Sequence, residues 1–375
     1  MRVLVTSIAA VGSPWTALAA HPDVELASLS ASYVDCGEYG VSRPDPEKAD
    51  HRVFTAPVYP PRPYVYSRYL SGVAGALRQF RPDVIFAVGE PSEIGVAQVM
   101  AIARRVTPQA RRVLFSFENV LRDWSGFPKV LRGWAERTTI PHLHAAVACT
   151  EGAKTVLVAR GMAPERVRVI PPGVEPERFH PGDEAELHDR LAPDGRFLIG
   201  YVGRLVHEKG VDVLLRAVAS LPDAFRLCLI GAGPAEADLR ALGDDLCPER
   251  LNWLGRVEQS QMPAYMRAFD ALVLPSRSIP AWQEQFGRVL VEAMMSGTPV
   301  IGSSSGAIPE VIGDAGLIFR EEDSEALANT LVCLRDDDAL RGQLAERGVE
   351  RAAAHFTPEV MRDRLVALFE DLLRK

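Results

Sequence analysis

The sequence has no run of 18 apolar residues, and it does not open with a basic stretch followed by an apolar one. A membrane-spanning helix needs about 20 predominantly apolar residues, and a secretory leader needs that opening pattern. Neither is therefore predicted, and residues 2–6 have the pattern of a first β-strand instead. We expect a cytoplasmic protein. Peripheral attachment to the inner face of a membrane is compatible with this expectation.

Cysteine is scarce. The five cysteines are odd in number and scattered, and the sequence has no Cys-x-x-Cys pair and no Cys/His cluster. This pattern supports neither a disulfide framework nor a structural zinc site. His142 and His144 stand two positions apart with no third ligand near them in sequence. We predict no metal site.

Two nucleotide-binding fingerprints are also missing. The loop after the first strand has Gly12 rather than G-x-G-x-x-G, and no G-x-x-x-x-G-K-[ST] loop occurs. Leu229-Ile-Gly-Ala-Gly-Pro234 follows a predicted strand, but Glu236 takes the third glycine position. We interpret it as a tight strand-to-helix turn, and a nicotinamide oxidoreductase is not favoured.

The net charge of −7 is unevenly distributed. Residues 1–180 hold 21 Lys and Arg against 17 Asp and Glu, whereas residues 181–375 hold 21 against 32. A basic first half suits an anionic acceptor or a membrane surface, and compositional drift is the alternative. The arginine pairs at 104–105 and 111–112 are candidate contacts for anionic lipid or phosphate, or else solvated side chains.

Short apolar segments alternate with helix-length segments in both halves of the chain. This alternation predicts two doubly wound parallel sheets. The predicted strands are residues 2–6, 24–29, 53–56, 83–88, 112–117, 145–149 and 167–170, then 197–202, 225–230, 251–254, 271–274, 299–302 and 316–319. Residues 64–80, 92–105 and 128–140 are predicted helices, with Ser92 as an N-cap. Residues 172–195 are the predicted linker.

Acidic residues follow two strands of the first half. Open α/β sheets bind ligands at the carboxyl ends of their strands, where Glu90, Glu118 and Asp123 are predicted to lie. We interpret Glu90 and Asp123 as cap or turn formers. For Glu118, a structural role and a role in a site remain equally open.

In the second half, Gly203-Arg-Leu-Val-His-Glu-Lys-Gly210 ends a predicted strand and opens a helix. It places Arg204 and Lys209 five positions apart beside a helix N-terminus. Arginine grips two oxygens and lysine supplies a compact charge, so the pair is a candidate diphosphate clamp.

Glu284 and Glu292 stand eight positions apart around a segment with apolar residues at helical spacing. If Glu284 lies at or before the helix start, Glu292 is about two turns further along. Phe286 and Gly287 would then present backbone N–H groups to an anion. The alternative is an amphipathic core helix with two solvated glutamates.

The order of these motifs resembles the family-four retaining glycosyltransferases (glycosyl transferases group 1), nucleotide-sugar enzymes of GT-B architecture. Residues 165–325 carry the resemblance; the first half matches mainly in layout. The segments are residues 203–210, 229–234, 253–257, 274–276, 284–294 and 305–312, with Ile170-Pro-Pro-Gly-Val174 at the inter-domain turn.

The resemblance implies two Rossmann-like α/β domains that face a cleft. Residues 1–175 would bind the acceptor and residues 190–355 the nucleotide-sugar donor. Residues 356–375 would form a helix that returns to pack on the first domain.

The resemblance also implies roles for individual residues. Arg204 and Lys209 would hold the donor diphosphate. Glu284 would receive the transferred sugar, and Glu292 the ribose hydroxyls. The remaining donor contacts would be backbone N–H groups of Phe286, Gly287 and Arg288, the base-side residue Val257, and Gly12 from the first domain.

The implied activity is the transfer of a hexose-type sugar from a nucleoside-diphosphate sugar, with retention, to an acceptor hydroxyl. The acceptor would be a glycan, a lipid-linked molecule or a small molecule, with no metal, other cofactor or nucleic acid required. Glu118-Asn119 stands where many members have a histidine, so the role of Glu118 in catalysis stays open. The alternatives are a non-catalytic sugar-nucleotide-binding GT-B protein and a nucleotide-sugar epimerase.

Overall fold

The computed structural model describes residues 1–9, 13–35 and 41–375. The chain divides into two compact units. Unit 1 comprises Met1–Gly173 together with Pro358–Lys375, and unit 2 comprises Val174–Thr357.

Strands and helices alternate through the first part of unit 1. Its strands are β1 Arg2–Ser7, β2 Glu25–Ala31, β3 Val34–Asp35, β4 Val41–Ser42, β5 Arg52–Ala56, β6 Val58–Tyr59, β7 Arg68–Tyr69, β8 Val84–Val88, β9 Arg111–Ser116, β10 Ala145–Ala148 and β11 Val167–Val169. Its helices are α1 Ser13–Thr16, α2 Val73–Phe80, α3 Ile94–Val106, α4 Gly126–Thr139 and α5 Glu151–Ala159.

Unit 2 repeats the alternation. Its strands are β12 Phe197–Val202, β13 Phe225–Ile230, β14 Leu251–Gly255, β15 Ala271–Leu274, β16 Val300–Ser303 and β17 Gly316–Phe319. Its helices are α6 Ala185–Leu191, α7 Val211–Ser220, α8 Glu236–Leu246, α9 Met262–Ala268, α10 Arg288–Met295, α11 Ile308–Ile312, α12 Ser324–Asp336 and α13 Asp338–His355. The chain then returns to unit 1 as α14 Pro358–Arg374.

Each unit is built on one large parallel sheet. The strand order is β11-β10-β9-β8-β1-β2-β5 in unit 1 and β14-β13-β12-β15-β16-β17 in unit 2. All neighbouring strands in both sheets run parallel. The predicted pair of doubly wound parallel sheets is therefore confirmed.

The strand order reverses once in each sheet. In unit 1 the chain builds outward from β1 and returns to add β8 on its other side, and in unit 2 it does the same with β12 and β15. At such a reversal the loops after the two central strands diverge and leave a crevice, which is where open α/β sheets bind ligands. In unit 2 these loops are residues 203–210 and 275–287.

Helix α14 completes the core of unit 1. Leu365 and Phe369 are fully buried, and the Phe369 ring lies 5.6 Å from that of Phe86 on β8 in an edge-to-face arrangement. The last helix is therefore structurally part of unit 1.

The structure corrects two local predictions. Residues 64–80 are not one helix, because Tyr64–Tyr66 form a 3-10 turn, Arg68–Tyr69 form β7, and Gly72 at φ +87° precedes α2. The N-cap of α3 is Glu93 rather than Ser92. The Ser92 hydroxyl is buried and has no hydrogen-bond partner among the described residues.

Across residues 1–9, 13–35 and 41–375, no helix combines the length and the apolar content needed to cross a bilayer.

Candidate functional site

A hydrogen bond to one of its backbone carbonyl groups stabilises the loop after β12. The phenol of Tyr201 donates a hydrogen bond to the carbonyl of Arg204 at 2.7 Å. The chain then forms a 3-10 turn at His207–Lys209 and enters α7 through Gly210 at φ +64°. A Cβ at Gly210 would lie 2.0 Å from the carbonyl oxygen of Pro275, so glycine lets this loop touch the loop after β15.

That contact brings Lys209 to Glu284. Lys209 Nζ lies 2.5 Å from Glu284 Oε2, and the Ser276 hydroxyl donates to the same oxygen at 2.8 Å. The Trp282 ring centroid is 5.0 Å from Nζ. The Glu284 side chain is 8% exposed and that of Lys209 18%. A charge this buried is tolerated only when it is paired and hydrogen-bonded, and here both conditions are met.

Glu284 precedes the helix that the sequence pattern predicted. Helix α10 begins at Arg288, and its N-cap Gly287 is left-handed at φ +75°, ψ +51°. A Cβ there would come within 3.1 Å of Leu274 and Leu290 side-chain atoms, so glycine allows a tight entry. The first N–H groups of a helix have no intrahelical partner and carry its positive end. Glu284 therefore stands four positions before a helix start of positive potential.

Glu292 belongs to a different cluster. Its Oε1 accepts a hydrogen bond from Arg288 Nε at 2.9 Å, and Arg288 also contacts Glu175 Oε2 at 3.4 Å. Burial raises the pKa of Glu292, while the Arg288 guanidinium lowers it. The two predicted glutamates are therefore separate sites, and the alternative of two solvated glutamates is wrong.

Arg204 is more exposed than Lys209. Its side chain is 36% exposed, and its guanidinium lies 4.0 Å from Glu208 Oε1. Burial raises the pKa of Tyr201 well above its ordinary value, with a further increase from the Glu284 charge and an opposing effect from Arg204. Arg204 and Glu284 both act electrostatically on this buried phenol, so they belong to one neighbourhood.

The Phe286 and Val257 side chains are packing groups. Phe286 is 6% exposed, and its ring meets that of Phe356 edge to face at 5.7 Å. Val257 is partly buried against the same apolar cluster. Any donor contact from Phe286 must therefore come from its backbone, as predicted for this residue.

Glu118 lies in unit 1, where its carboxylate is enclosed. It is 6% exposed, and its Oε2 accepts a hydrogen bond from Arg160 Nη2 at 2.7 Å. Arg122 Nε lies 3.6 Å from Oε1. Arg160 is itself 4% exposed and also pairs with Glu136.

Two buried acids lie near Glu118: Glu90, which the sequence predicted only as a cap or turn former, and Glu93, which sequence reasoning missed. Glu90 accepts hydrogen bonds from the backbone N–H groups of Phe117 and Glu118, at 2.9 and 3.0 Å. Burial and the neighbouring Glu118 raise the pKa of Glu90 to about 7. Burial and Glu90 raise that of Glu93 to about 8. The available signal was that both follow β8, a strand at the unit 1 reversal.

Glu90 and Asp123, both predicted to be cap or turn formers, lie in different environments. Glu90 binds the loop after β9 as a turn former does, whereas the Asp123 side chain is 93% exposed and lies 3.6 Å from Lys129. Gly12 lies outside the described residues. Among residues that are described, no three His, Cys, Asp or Glu side chains form a group able to hold a metal ion.

Two family models match the chain in successive segments. The model described as Glycosyltransferase Family 4 matches residues 31–178, and the one described as Glycosyl transferases group 1 matches residues 183–351. The second segment includes every unit 2 residue of the site described above except Glu175 and Phe356.

Curated relatives are similar over about half of their length. A D-inositol 3-phosphate glycosyltransferase of Stackebrandtia nassauensis is 32% identical over 258 residues, covering 64% of this chain and 57% of the relative. A GDP-mannose-dependent monoacylated alpha-(1-6)-phosphatidylinositol monomannoside mannosyltransferase of Corynebacterium glutamicum is 32% identical over 212 residues, covering 54% and 55%.

A solved structure extends the likeness to the whole fold. Anabaena HepE, in a complex with UDP and glucose, aligns over 99% of both chains with a TM-score of 0.76 at 20% identity. At this identity the likeness shows the fold. With the parallel sheets, the two family models and the relatives in agreement, the chain belongs to the family-four glycosyltransferases (glycosyl transferases group 1) and has the GT-B fold.

Proposed function

We propose that the protein is a retaining glycosyltransferase that moves a hexose-type sugar from a nucleoside-diphosphate sugar to an acceptor hydroxyl. The observation that carries the proposal is the buried Lys209–Glu284 pair, with a 2.5 Å contact, at the strand reversal of the unit 2 sheet. A buried cation and a buried carboxylate beside a helix N-terminus match the two halves of such a donor, phosphate and sugar.

In this proposal the donor diphosphate replaces Glu284 as the charged partner of Lys209. In the ligand-free chain, Glu284 neutralises the ammonium group. A bound phosphate would supply that charge, joined by Arg204 and by the backbone N–H groups of Phe286, Gly287 and Arg288. Glu284 would then be released to accept hydrogen bonds from hydroxyl groups of the transferred sugar.

The nucleoside would bind further along α10. Glu292 has a carboxylate that accepts from Arg288 through Oε1, and we assign its oxygens to the ribose hydroxyls. Val257 would border the base, and Gly12 would approach the diphosphate. Glu118 would orient the acceptor, with Arg160 holding its carboxylate.

The chemistry needs charge stabilisation more than a nucleophile. As the sugar–phosphate bond breaks, the sugar becomes oxocarbenium-like and negative charge grows on the leaving phosphate. Arg204, Lys209 and the start of α10 would stabilise that charge in a preorganised setting. Same-face attack assisted by the leaving phosphate would retain the anomeric configuration, and we propose that neither a metal nor another cofactor is required.

The similar proteins support a nucleoside-diphosphate sugar but leave its base open. The HepE complex contains UDP and glucose, whereas the Corynebacterium glutamicum relative is named for GDP-mannose. For the acceptor we keep a glycan, a lipid-linked molecule or a small molecule, as in polysaccharide or glycoconjugate synthesis. We further propose a cytoplasmic protein with peripheral contact to a membrane.

A nucleotide panel followed by a donor screen tests the proposal. A ligand that binds only the folded state raises the melting temperature by mass action. We expect UDP or GDP to raise it, NAD to leave it unchanged, and the Arg204→Gln variant to reduce the UDP or GDP shift. Arg347→Gln, at an exposed position on α13 in the same unit, is the matched control.

The donor screen separates transfer from its alternatives by mass. A glycosyltransferase adds the sugar to an acceptor, or to water when no acceptor is present. An epimerase leaves the donor mass unchanged and alters its sugar, and a non-catalytic binder leaves both intact. A melting-temperature increase with NAD alone would contradict the assignment.

A further inference from the structure

One helix of unit 1 carries several large apolar side chains that are exposed. Phe127 is 74% exposed, Val130 65% and Trp134 47%, and Leu121 in the preceding loop is 58% exposed. The first three lie on α4 at positions i, i+3 and i+7, which places them on one side of a helix. We call Phe127, Val130 and Trp134 the α4 face.

An adjacent side of α4 packs against unit 1. Ala135 is fully buried and packs with Ile94 and Ala97 of α3, and Leu131 is partly buried against the same cluster. The orientation of the helix is therefore set by its packed side. The α4 face remains on the surface because of that packing rather than through fraying.

Positive charge borders the α4 face. Lys129 and Arg137 are exposed on the same helix. With Arg122 and Arg160 they line a cavity of about 500 Å³, which Asp123 and Glu136 also border. Residues 101–140 contain eight Lys and Arg against three Asp and Glu, so this part of the chain attracts anions.

Single exposed apolar residues are ordinary, but a stripe on one helix face marks an interaction surface. A helix that carries Phe and Trp on one face and Lys and Arg beside it has the composition of interfacial helices, which lie in the plane of a membrane surface. Tryptophan suits that boundary because its ring is apolar and its N–H is polar.

We propose that the α4 face docks this protein on a bilayer that contains anionic phospholipid. Phe127 and Trp134 insert at the boundary between headgroups and acyl chains, and Lys129 and Arg137 meet lipid phosphates. The inference rests on the peripheral membrane contact proposed above and names its surface. It does not depend on the donor chemistry of unit 2.

Charge argues for a bilayer over a second copy of the chain. A two-fold symmetric dimer uses the same patch on both subunits, so it would bring Lys129 and Arg137 close to the same residues of the other copy. An anionic lipid surface complements these charges instead. Salt should weaken such docking, because screening shortens the range of surface charges.

Vesicle flotation of the full chain tests the proposal. We expect the protein to float with vesicles of phosphatidylcholine plus phosphatidylglycerol, and much less with phosphatidylcholine alone. Phe127→Ser with Trp134→Ser should reduce binding at least tenfold. Lys129→Glu with Arg137→Glu should abolish the preference for the anionic vesicles.

Matched controls test whether vesicle binding depends on where the substituted residue lies, and not only on the type of residue removed. Ile318→Ser removes a 40% exposed side chain in unit 2, and Arg364→Glu reverses an exposed charge on α14 of unit 1. Both should bind as the wild type does. Melting temperatures should stay unchanged in all variants because every substituted side chain is exposed.

Three outcomes would overturn the proposal. One is an absence of wild-type binding to any vesicle. Another is equal binding by the Phe127 and Trp134 variant. The third is that the wild type forms a concentration-dependent dimer, seen by light scattering, that the Phe127 and Trp134 variant does not form, while neither protein binds lipid.

Transfer to a soluble acceptor, measured on the same proteins, separates the two proposals. Lost vesicle binding with unchanged transfer supports the α4 face. Wild-type vesicle binding without any sugar transfer would leave docking intact and remove the proposed function alone.

Discussion

Lys209 and Glu284 are 75 positions apart in the chain, yet the ammonium nitrogen of one lies 2.5 Å from a carboxylate oxygen of the other. Their contact joins the loops after the two central strands of the unit 2 sheet. It holds a buried positive and a buried negative charge together before any donor binds. The same two groups are those that we assign to phosphate and sugar.

Removing one member of this pair should cost both stability and activity. Breaking a buried ion pair on one side leaves an uncompensated charge, at a cost of about 3–5 kcal/mol. We expect Lys209→Met to lower the free energy of unfolding by about 3 kcal/mol and to abolish transfer. Urea unfolding and a mass assay of donor turnover measure the two effects.

The double variant Lys209→Met with Glu284→Gln is the matched control. It removes both charges, and we expect it to recover most of the lost stability without recovering activity. A double-mutant cycle then gives the coupling between the two residues. Wild-type turnover in Lys209→Met, or additive stability losses, would contradict the proposed role of the pair.

Glu292 and Arg288 should differ in their effect on nucleotide affinity. We assign the Glu292 carboxylate to the ribose but only the backbone N–H of Arg288 to the donor. Since a hydrogen bond to a charged group contributes about 1.5–3 kcal/mol, Glu292→Gln should raise the Kd for UDP or GDP about tenfold or more. Arg288→Ala should change it less. Titration calorimetry gives both values, and a larger effect at Arg288 would reverse the assignment.

Substitution of Glu118 should weaken binding of the acceptor without changing binding of the donor nucleotide. We expect Glu118→Gln to raise the KM for the acceptor, with the Kd for the nucleotide unchanged. The melting temperature should also fall, because Arg160, 4% exposed, loses a charged partner. Steady-state kinetics with a donor and acceptor found in the screen separate the two. If only the melting temperature changes, Glu118 is structural.

The buried acids of unit 1 should make stability depend on pH. The pKa of Glu93 is raised from 4.5 to about 8, by burial and by Glu90. The folded chain therefore keeps a proton that the unfolded chain releases as the pH rises above about 4.5. Its contribution to stability is complete below that pH and is lost as the pH rises through about 8.

Glu93→Gln removes this titration. We expect its melting temperature to fall less than that of the wild type between pH 5 and pH 9 (roughly the window in which linkage acts). Glu25→Gln, at an exposed position, should follow the wild-type profile. Parallel profiles for the wild type and Glu93→Gln would show that Glu93 ionises normally.

Much of the fold follows from local patterns. The strands at Phe197–Val202, Phe225–Ile230 and Ala271–Leu274 have the predicted bounds, because a buried parallel strand is a short apolar run bounded by turn residues. The edge strand Gly316–Phe319, which is only partly buried, also has the predicted bounds. The predicted helix at residues 64–80 failed because its first half meets β6 as β7. Tyr69 of β7 also exchanges hydrogen bonds with Gln98 on α3, a tertiary contact that overrides local propensity.

The candidate site was predictable in composition rather than in arrangement. The motif order named Arg204, Lys209, Glu284 and Glu292 as one group. It did not reveal that Glu284 belongs with Lys209 and Ser276, while Glu292 belongs with Arg288 and Glu175. Nor did it indicate that the Glu118 carboxylate is enclosed by Arg160.

The sequence by itself determined the alternation of strands and helices, the family resemblance, and the residue types from which a donor site is built. These depend on interactions among residues close together in the chain, or on an order of motifs that can be read directly. Only the tertiary structure decided which charges meet, which carboxylates lose water, and which apolar side chains of α4 stay exposed. Those outcomes depend on sheet order and packing between distant segments, and burial then shifts the pKa values and leaves each charge needing a partner.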